Sequence, residues 1–149
     1  MNNFYDNITE KKFKILTILT CFFGDFTVLY WIWGQKSKYF AKYMNYVYKV
    51  LEAQGQMNIP RDLESEVYQL MTQSLLIMFT GLMTAHAIIY LTHWFNRKFS
   101  RGYIKLYAAT ATLGCFALFV SSPLQNLHFA VLTFFYGLVA WGLIRKKEQ

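Results

Sequence analysis

Four stretches of this sequence run for about twenty residues with almost no charged side chain, and basic residues gather at their ends. At a rise of 1.5 Å per residue, a helix of about 20 residues spans the hydrocarbon core of a bilayer. The stretches cover residues 13–33, 74–94, 103–120 and 127–144. We therefore expect an all-α integral membrane protein with four transmembrane helices, forming a single membrane domain over residues 1–149.

The charge content separates this chain from soluble and nucleic-acid-binding proteins. Charged residues make up 15% of it, against about 25% in a typical soluble domain. The net charge of +7 comes from basic residues that flank the apolar stretches, where topology signals and anionic lipid headgroups place them. We expect the lipid bilayer and no nucleic acid as a partner. Cys21 and Cys115 both lie inside apolar stretches, so no disulfide framework is expected.

The basic residues also predict the orientation in the membrane. Ten of the fifteen lie on one side, in the N-terminal flank, the connection between the second and third stretches, and the C-terminal tail. The other five lie between the first and second stretches. Because cytoplasmic loops carry the excess of lysine and arginine, we expect both termini in the cytoplasm and a cytoplasmic-type membrane.

The segment between the first two spans, residues 35–73, has an amphipathic helical pattern. Gly55 stands where a helix C-cap belongs, and Pro60 stands where the next helix begins. A helix from Gln35 to Ala53 would be roughly 28 Å long, and a helix over residues 60–74 would be roughly 22 Å long. These matched lengths favour an antiparallel helical hairpin that extends both spans outside the membrane, although a helix lying flat on the outer leaflet also fits the pattern.

Asp25 is the one acidic residue inside an apolar stretch, and it lies close to the middle of the first predicted span. A charge at that depth costs at least about 2.5–3.5 kcal/mol on insertion scales, so such residues usually face a partner or a cavity. His86 lies at a similar depth in the second span and is the expected partner. Two interpretations stay open: an ion or proton site within a pore, and a hydrogen-bonded acid that holds helices together.

A second polar feature is a face of the second helix that carries Gln69, Gln73, Thr80 and Thr84. These side chains fit the lining of a wet path. They equally fit hydrogen-bonding contacts between helices, which contribute about 0.6 kcal/mol each on average. We treat them as candidates for a pore together with Asp25 and His86.

The three histidines raise the question of haem, because histidines on transmembrane helices can hold haem iron. His86 and His93 share a face of the second span but differ in depth. His128 lies near the outer end of the fourth span, at a different depth again. We therefore expect no cofactor and keep haem as an alternative. No catalytic set and no dense metal-ligand spacing occurs in the sequence, so neither an enzyme nor a metal site is expected.

The leading hypothesis for function is an oligomeric pore or transport component, in which copies of this chain assemble in the bilayer around a path lined by Asp25. The alternative is an assembly or anchoring subunit that docks a partner protein through the hairpin of residues 35–73. A haem-binding redox anchor is the third hypothesis. The native mass of the assembly distinguishes the oligomeric pore from the anchoring subunit, and a visible haem absorption band tests the third hypothesis.

The predicted topology has a direct test. Cysteine labels at Ser37 and Asn126 are expected to react from outside intact cells, and labels at Ser100 and Glu148 only after permeabilisation, because the ten-to-five basic asymmetry places those segments on opposite sides. Reaction at Ser100 from outside would contradict four spans with both ends inside.

Overall fold

The computed structural model describes residue 5, residues 8–55 and residues 61–145, without the side chains of residues 61 and 62. These residues form four long α-helices and no strand. All four helices are long and apolar enough to cross a membrane, as expected from the apolar stretches. In chain order they are α1 (Glu10–Ala53), α2 (Arg61–Trp94), α3 (Lys98–Ser121) and α4 (Leu127–Arg145).

The helices are longer than the apolar stretches that predicted them. α1 runs without a break from the first span into the amphipathic segment and ends at Ala53, and Gly55 follows with φ +72°, as a C-cap glycine does. The predicted start of the next helix at Pro60 lies outside the described residues. α3 begins at Lys98 rather than at residue 103, because the Ser100 hydroxyl and the Arg101 N–H both bond the carbonyl of Arg97 and secure an extra N-terminal turn.

α2 ends where its sequence pattern indicates, just before a basic connection. Asn96 has φ 60°, a left-handed conformation that asparagine tolerates at the position after a helix C-cap. The N–H of Asn96 bonds the carbonyl of His93 at 3.1 Å, and the N–H of Arg97 bonds the carbonyl of Thr92 at 3.1 Å. This closure satisfies the last carbonyls of α2 and allows α3 to begin at once.

The chain divides into two compact units. Met1–Asp25 and Ala85–Gln149 form the first, which we call the bundle unit, and Phe26–Thr84 form the second, which we call the hairpin unit. The bundle unit contains the start of α1, the end of α2, and all of α3 and α4. The hairpin unit contains the remaining parts of α1 and α2.

Within the hairpin unit, α1 and α2 pair in antiparallel fashion through aromatic and polar side chains. The rings of Phe40 and Tyr68 meet edge to face with centroids 4.9 Å apart, and the hydroxyls of Ser37 and Tyr68 lie 3.1 Å apart. Nearer the connection, the Tyr48 hydroxyl donates to Glu64 at 2.9 Å. Because Ser37 and Tyr48 on α1 meet progressively earlier residues of α2, the two segments run in opposite directions.

In the bundle unit, α3 and α4 pack closely across small residues. Ala108 and Cys115 are buried on α3, and a Cβ placed on Gly137 of α4 would lie 3.8 Å from the Thr112 methyl group. Small residues let helix backbones approach in an apolar solvent, where packing rather than the hydrophobic effect drives association. The short connection closes on itself, since the Asn126 amide donates to the carbonyl of Leu118 at 2.8 Å.

The start of α1 is held against α4 by two aromatic side chains. Phe13 and Tyr5 are each 3% exposed, and their rings meet edge to face. The Tyr5 hydroxyl donates to the carbonyl of Leu138 at 2.8 Å. Both rings lie where a side chain at Gly142 would stand, so this glycine makes the contact possible.

Burial affects the choice of labelling positions for the topology experiment. Ser100 and Asn126 are buried in the bundle unit, and a cysteine there would react slowly from either side. Arg97 and Leu124 are exposed positions in the same two connections. The topology predicted for Ser100 and Asn126 is therefore better measured at these neighbours.

We expect Gly142→Ala to lower the free energy of unfolding by about 1–3 kcal/mol, because the added Cβ would lie 2.5 Å from the Phe13 ring. The measurement is detergent-induced unfolding in mixed micelles, followed by loss of helical circular dichroism. Gly81→Ala is the control, since nothing lies within 4 Å of its Cβ position. It is expected to be neutral or stabilising by up to about 1 kcal/mol, because alanine is the better helix former. Equal stability of the two variants would contradict the packing of Phe13 on α4.

Candidate functional site

The Asp25 carboxylate is buried inside the bundle unit and accepts three hydrogen bonds. Asp25 is 3% exposed. Its Oδ2 atom lies 2.8 Å from His86 Nδ1 and also accepts a hydrogen bond from the Tyr90 hydroxyl. Its Oδ1 atom accepts a hydrogen bond from the Tyr107 hydroxyl. The predicted pairing of Asp25 with His86 is confirmed, and Asp25 faces the interior of its own chain.

Both nitrogens of the His86 ring are engaged. Nδ1 meets Asp25, and Nε2 lies 2.8 Å from the Tyr103 hydroxyl. Because a carboxylate only accepts, Nδ1 carries the hydrogen of the first contact. In a neutral ring Nε2 then accepts from Tyr103, and in a charged ring Nε2–H donates to the Tyr103 oxygen.

The hydrogen-bond chain continues into α4. Tyr107 donates to Asp25, so its oxygen is free to accept from the Tyr136 hydroxyl, which lies 3.3 Å away. Tyr136 is 1% exposed, and its hydroxyl occupies the position that a Cβ at Gly24 would take. Gly24 therefore admits the tyrosine beside Asp25. We call the whole set the Asp25 cluster; its members are Asp25, His86, Tyr90, Tyr103, Tyr107 and Tyr136.

Helical spacing places these side chains. Residues four apart lie on one face of a helix, and the α2 pair His86 and Tyr90 and the α3 pair Tyr103 and Tyr107 both have this spacing. None of the four tyrosines was predicted from the sequence as a member of this site. A signal was present, because a tyrosine within an apolar span needs a partner for its hydroxyl and Asp25 needs donors. What the sequence lacked was the rotation of each helix about its axis.

The glutamine and threonine candidates of α2 lie in the hairpin unit and have exposed side chains. The hydroxyls of Thr80 and Thr84 donate to carbonyls of their own helix, at 2.9 Å to Leu76 and 2.8 Å to Thr80. Each threonine thus satisfies its hydroxyl locally. The role of this face, which also carries Gln69 and Gln73, in a path or an oligomer contact stays a prediction.

The remaining histidines differ sharply in environment. His93 is 3% exposed, and its Nε2 atom has no hydrogen-bond partner among the described residues. His128 is exposed and lies beside Phe129, with the ring centroids 4.3 Å apart and the ring planes tilted by 42°. Both ring nitrogens of His86 are engaged in hydrogen bonds, and the haem alternative stays a prediction.

Comparison of this chain with protein-family models, with curated protein sequences and with solved structures finds no match.

Removing one hydroxyl from the Asp25 cluster should destabilise the protein. We expect Tyr107→Phe to lower the free energy of unfolding by about 1–3 kcal/mol, because it leaves a buried carboxylate oxygen without its donor. The control is Tyr43→Phe, where the same atom is removed from an exposed side chain of α1 and the change should stay within about 0.5 kcal/mol. Both values come from unfolding in mixed micelles. A Tyr107→Phe variant as stable as the control would show that the hydroxyl does not support Asp25.

Proposed function

We propose that this protein is a membrane transport component that binds and releases a proton at the Asp25–His86 pair. The observation that carries the proposal is a carboxylate, 3% exposed, that accepts from an imidazole and two tyrosine hydroxyls within an apolar bundle. Ionisable groups at membrane depth commonly mark ion pathways and proton relays, since burying them without a role is costly.

The pair can change its protonation state with little movement. In one state the Tyr103 hydroxyl donates to a neutral His86 ring. When a proton arrives at Nε2, the ring becomes charged, Nε2–H donates to the Tyr103 oxygen, and the Tyr103 hydrogen rotates away. The two states therefore differ by one proton and one hydroxyl rotation, while the contacts of Asp25 are kept. Alternatively the proton is taken by Asp25, and a protonated acid can donate back to one of its neighbours.

The donor set favours a proton over a metal cation. Hard cations need several oxygen acceptors around them, whereas Asp25 is surrounded by groups that donate to it. Among the described residues no group of three histidine, cysteine or acidic side chains is placed to hold a metal ion. A proton is the cation that this geometry accommodates without rearrangement.

The enclosure of Asp25 changes the expected route of transport. The sequence led us to expect a path lined by Asp25 between neighbouring subunits. The Asp25 side chain is instead only 3% exposed on its own chain, which also supplies its three hydrogen-bond donors. We propose that each subunit carries its own proton site. Oligomer contacts would then use other surfaces, among them the exposed face of Gln69, Gln73, Thr80 and Thr84. The setting we propose is a cytoplasmic-type membrane with both termini inside.

An anchoring role is the second candidate, and one surface of the hairpin unit favours it. Tyr39, Tyr43 and Tyr46 follow one another on a face of α1 and are each more than half exposed, at 53%, 57% and 67%. Lys38 and Lys42 are exposed directly beside them. Exposed tyrosines with neighbouring lysines fit an acidic partner segment. Replacing the three tyrosines with serine would then remove partner binding and leave proton flux unchanged.

The transport proposal predicts proton flux into proteoliposomes that depends on Asp25. With a pH-sensitive dye inside and a potassium diffusion potential as the driving force, the wild-type protein should carry protons faster than protein-free vesicles do. Asp25→Asn should bring the flux to the protein-free level, because the amide cannot accept a proton from bulk water. Glu66→Gln is the matched control, since it makes the same chemical change at an exposed position in the hairpin unit.

Each variant must be shown to be folded, by its helical circular dichroism and its elution in detergent. Folded Asp25→Asn protein with wild-type flux would remove the proposed role of Asp25 and leave it as a packing contact. Wild-type flux no greater than that of protein-free vesicles would remove the transport proposal itself.

A further inference from the structure

Two polar atoms that are buried in the bundle unit have no hydrogen-bond partner among the described residues: Thr17 Oγ1 on α1 and His93 Nε2 on α2. Thr17 is fully buried and His93 is 3% exposed. Leaving a buried polar group without a hydrogen-bond partner destabilises the folded state. Buried polar atoms without a protein partner are the usual sites of internal water.

Thr17 differs from other helical threonines of this protein. Seven of them donate their hydroxyl to a carbonyl three or four residues earlier in the same helix. That local bond is the ordinary way for a threonine to be satisfied inside a helix. The Thr17 hydroxyl does not use it and is available to another group.

The register of α1 against α2 places Thr17 and His93 at the same level. Asp25 meets His86 at one end of this contact, and the Lys14 ammonium donates to the Asn96 side chain at the other. Thr17 stands three residues from Lys14, and His93 stands three residues from Asn96. In antiparallel helices, positions displaced equally from a common contact lie at the same level along the helix axes.

These atoms lie between the Asp25 cluster and the end of the bundle unit that carries Lys14. Thr17 is two turns from Asp25 on the same face of α1, a rise of about 12 Å. Cys21 stands between them on α1, and the same register places it at the level of Tyr90. The His93 side chain reduces the distance to the Asp25 cluster. Side chains of a helix lean toward its N-terminus, so the His93 ring leans toward His86. At the end of the bundle unit that carries Lys14, the Lys14 ammonium also pairs with the Glu10 carboxylate, at 3.1 Å.

We propose that Thr17 and His93 hold an internal water and form the proton entry to the Asp25 cluster from the Lys14 end of the bundle unit. This inference rests on the proposed function, because it assigns the route to the proton site. One water can donate to His93 Nε2 and accept from Thr17 Oγ1, which satisfies both atoms. One or two further waters beside Cys21 complete the distance to the Tyr90 hydroxyl.

The proton moves along this route by exchange, and each step is balanced. A proton from bulk water joins the outermost bound water, which passes a different proton inward. The Tyr90 hydroxyl gives its hydrogen to Asp25 Oδ2 and receives one from the water behind it. The net change is one proton fewer in bulk water and one neutral carboxylic acid at Asp25.

The charged groups that face His93 come from two neighbouring helices. Lys14 and Glu10 face it from α1, and Arg101 faces it from α3. Two cations and one carboxylate therefore lie near the entrance. In the proposed route the His93 ring accepts through Nε2 and positions the water.

The test is the rate at which Asp25 takes up a proton after a pH jump, in protein reconstituted into lipid nanodiscs. The infrared carboxyl band of Asp25 reports this rate and is identified by its loss in Asp25→Asn. Thr17→Val should slow the uptake about tenfold, which is about 1.4 kcal/mol on the barrier, and leave the equilibrium titration unchanged. Thr17→Ser keeps the hydroxyl and should restore the wild-type rate. Thr110→Val is the control, because its hydroxyl is exposed and bonds its own helix.

A high-resolution structure in lipid supplies the second measurement. We expect an ordered water within hydrogen-bond distance of Thr17 Oγ1 and His93 Nε2, and its loss in Thr17→Val. A dry site, or wild-type uptake in Thr17→Val, overturns the entry route while the proton site itself stands. If Asp25 takes up no proton in the wild-type protein, the entry route falls, and the proposed function is then decided by the proton flux measured in proteoliposomes.

Discussion

A carboxylate taken out of water inside an apolar bundle needs hydrogen-bond donors, and Asp25 obtains its donors from two other helices. α2 supplies His86 and Tyr90, and α3 supplies Tyr107. Leaving such an ion unpaired would cost several kcal/mol. These three helices must therefore be set at matching depths and rotated so that these side chains meet Asp25. Any other arrangement would leave the charge without partners.

Tyrosine suits this task because it joins an apolar body to a polar tip. Its ring packs in the bundle as any aromatic side chain does, and its hydroxyl reaches a partner across the gap between helices. Tyr136 extends the network into α4 through Tyr107, and Gly24 gives it room. In contrast, α3 and α4 meet across small residues, where packing alone brings the backbones close. Two different contacts thus hold one unit: close apolar packing on one side and a hydrogen-bonded polar core on the other.

The same polar core that orients the helices is suited to proton exchange. Every partner of the Asp25 carboxylate carries an exchangeable hydrogen, and the His86 ring can hold one proton or two while it keeps both contacts. Tyr107→Phe tests the structural contribution of the network, and Asp25→Asn tests its chemistry. The water that we propose at Thr17 and His93 extends this logic toward the Lys14 end of the bundle unit, because these two buried atoms have no partner among the described residues.

The sequence by itself determined the number of apolar helices, their approximate ends and the pairing of Asp25 with His86. Hydrophobic length and charge placement are local properties, and an acid at membrane depth needs a partner wherever it stands. The caps at Gly55 and Asn96 lie where local chemistry puts them. Only the tertiary structure decided which tyrosines join Asp25, that the Asp25 carboxylate is buried within its own chain, and that His93 Nε2 is buried with no partner among the described residues. Those outcomes depend on how each helix is rotated and set in depth against its neighbours, and an apolar span has hydrophobic residues on all sides, so its sequence pattern does not encode that rotation.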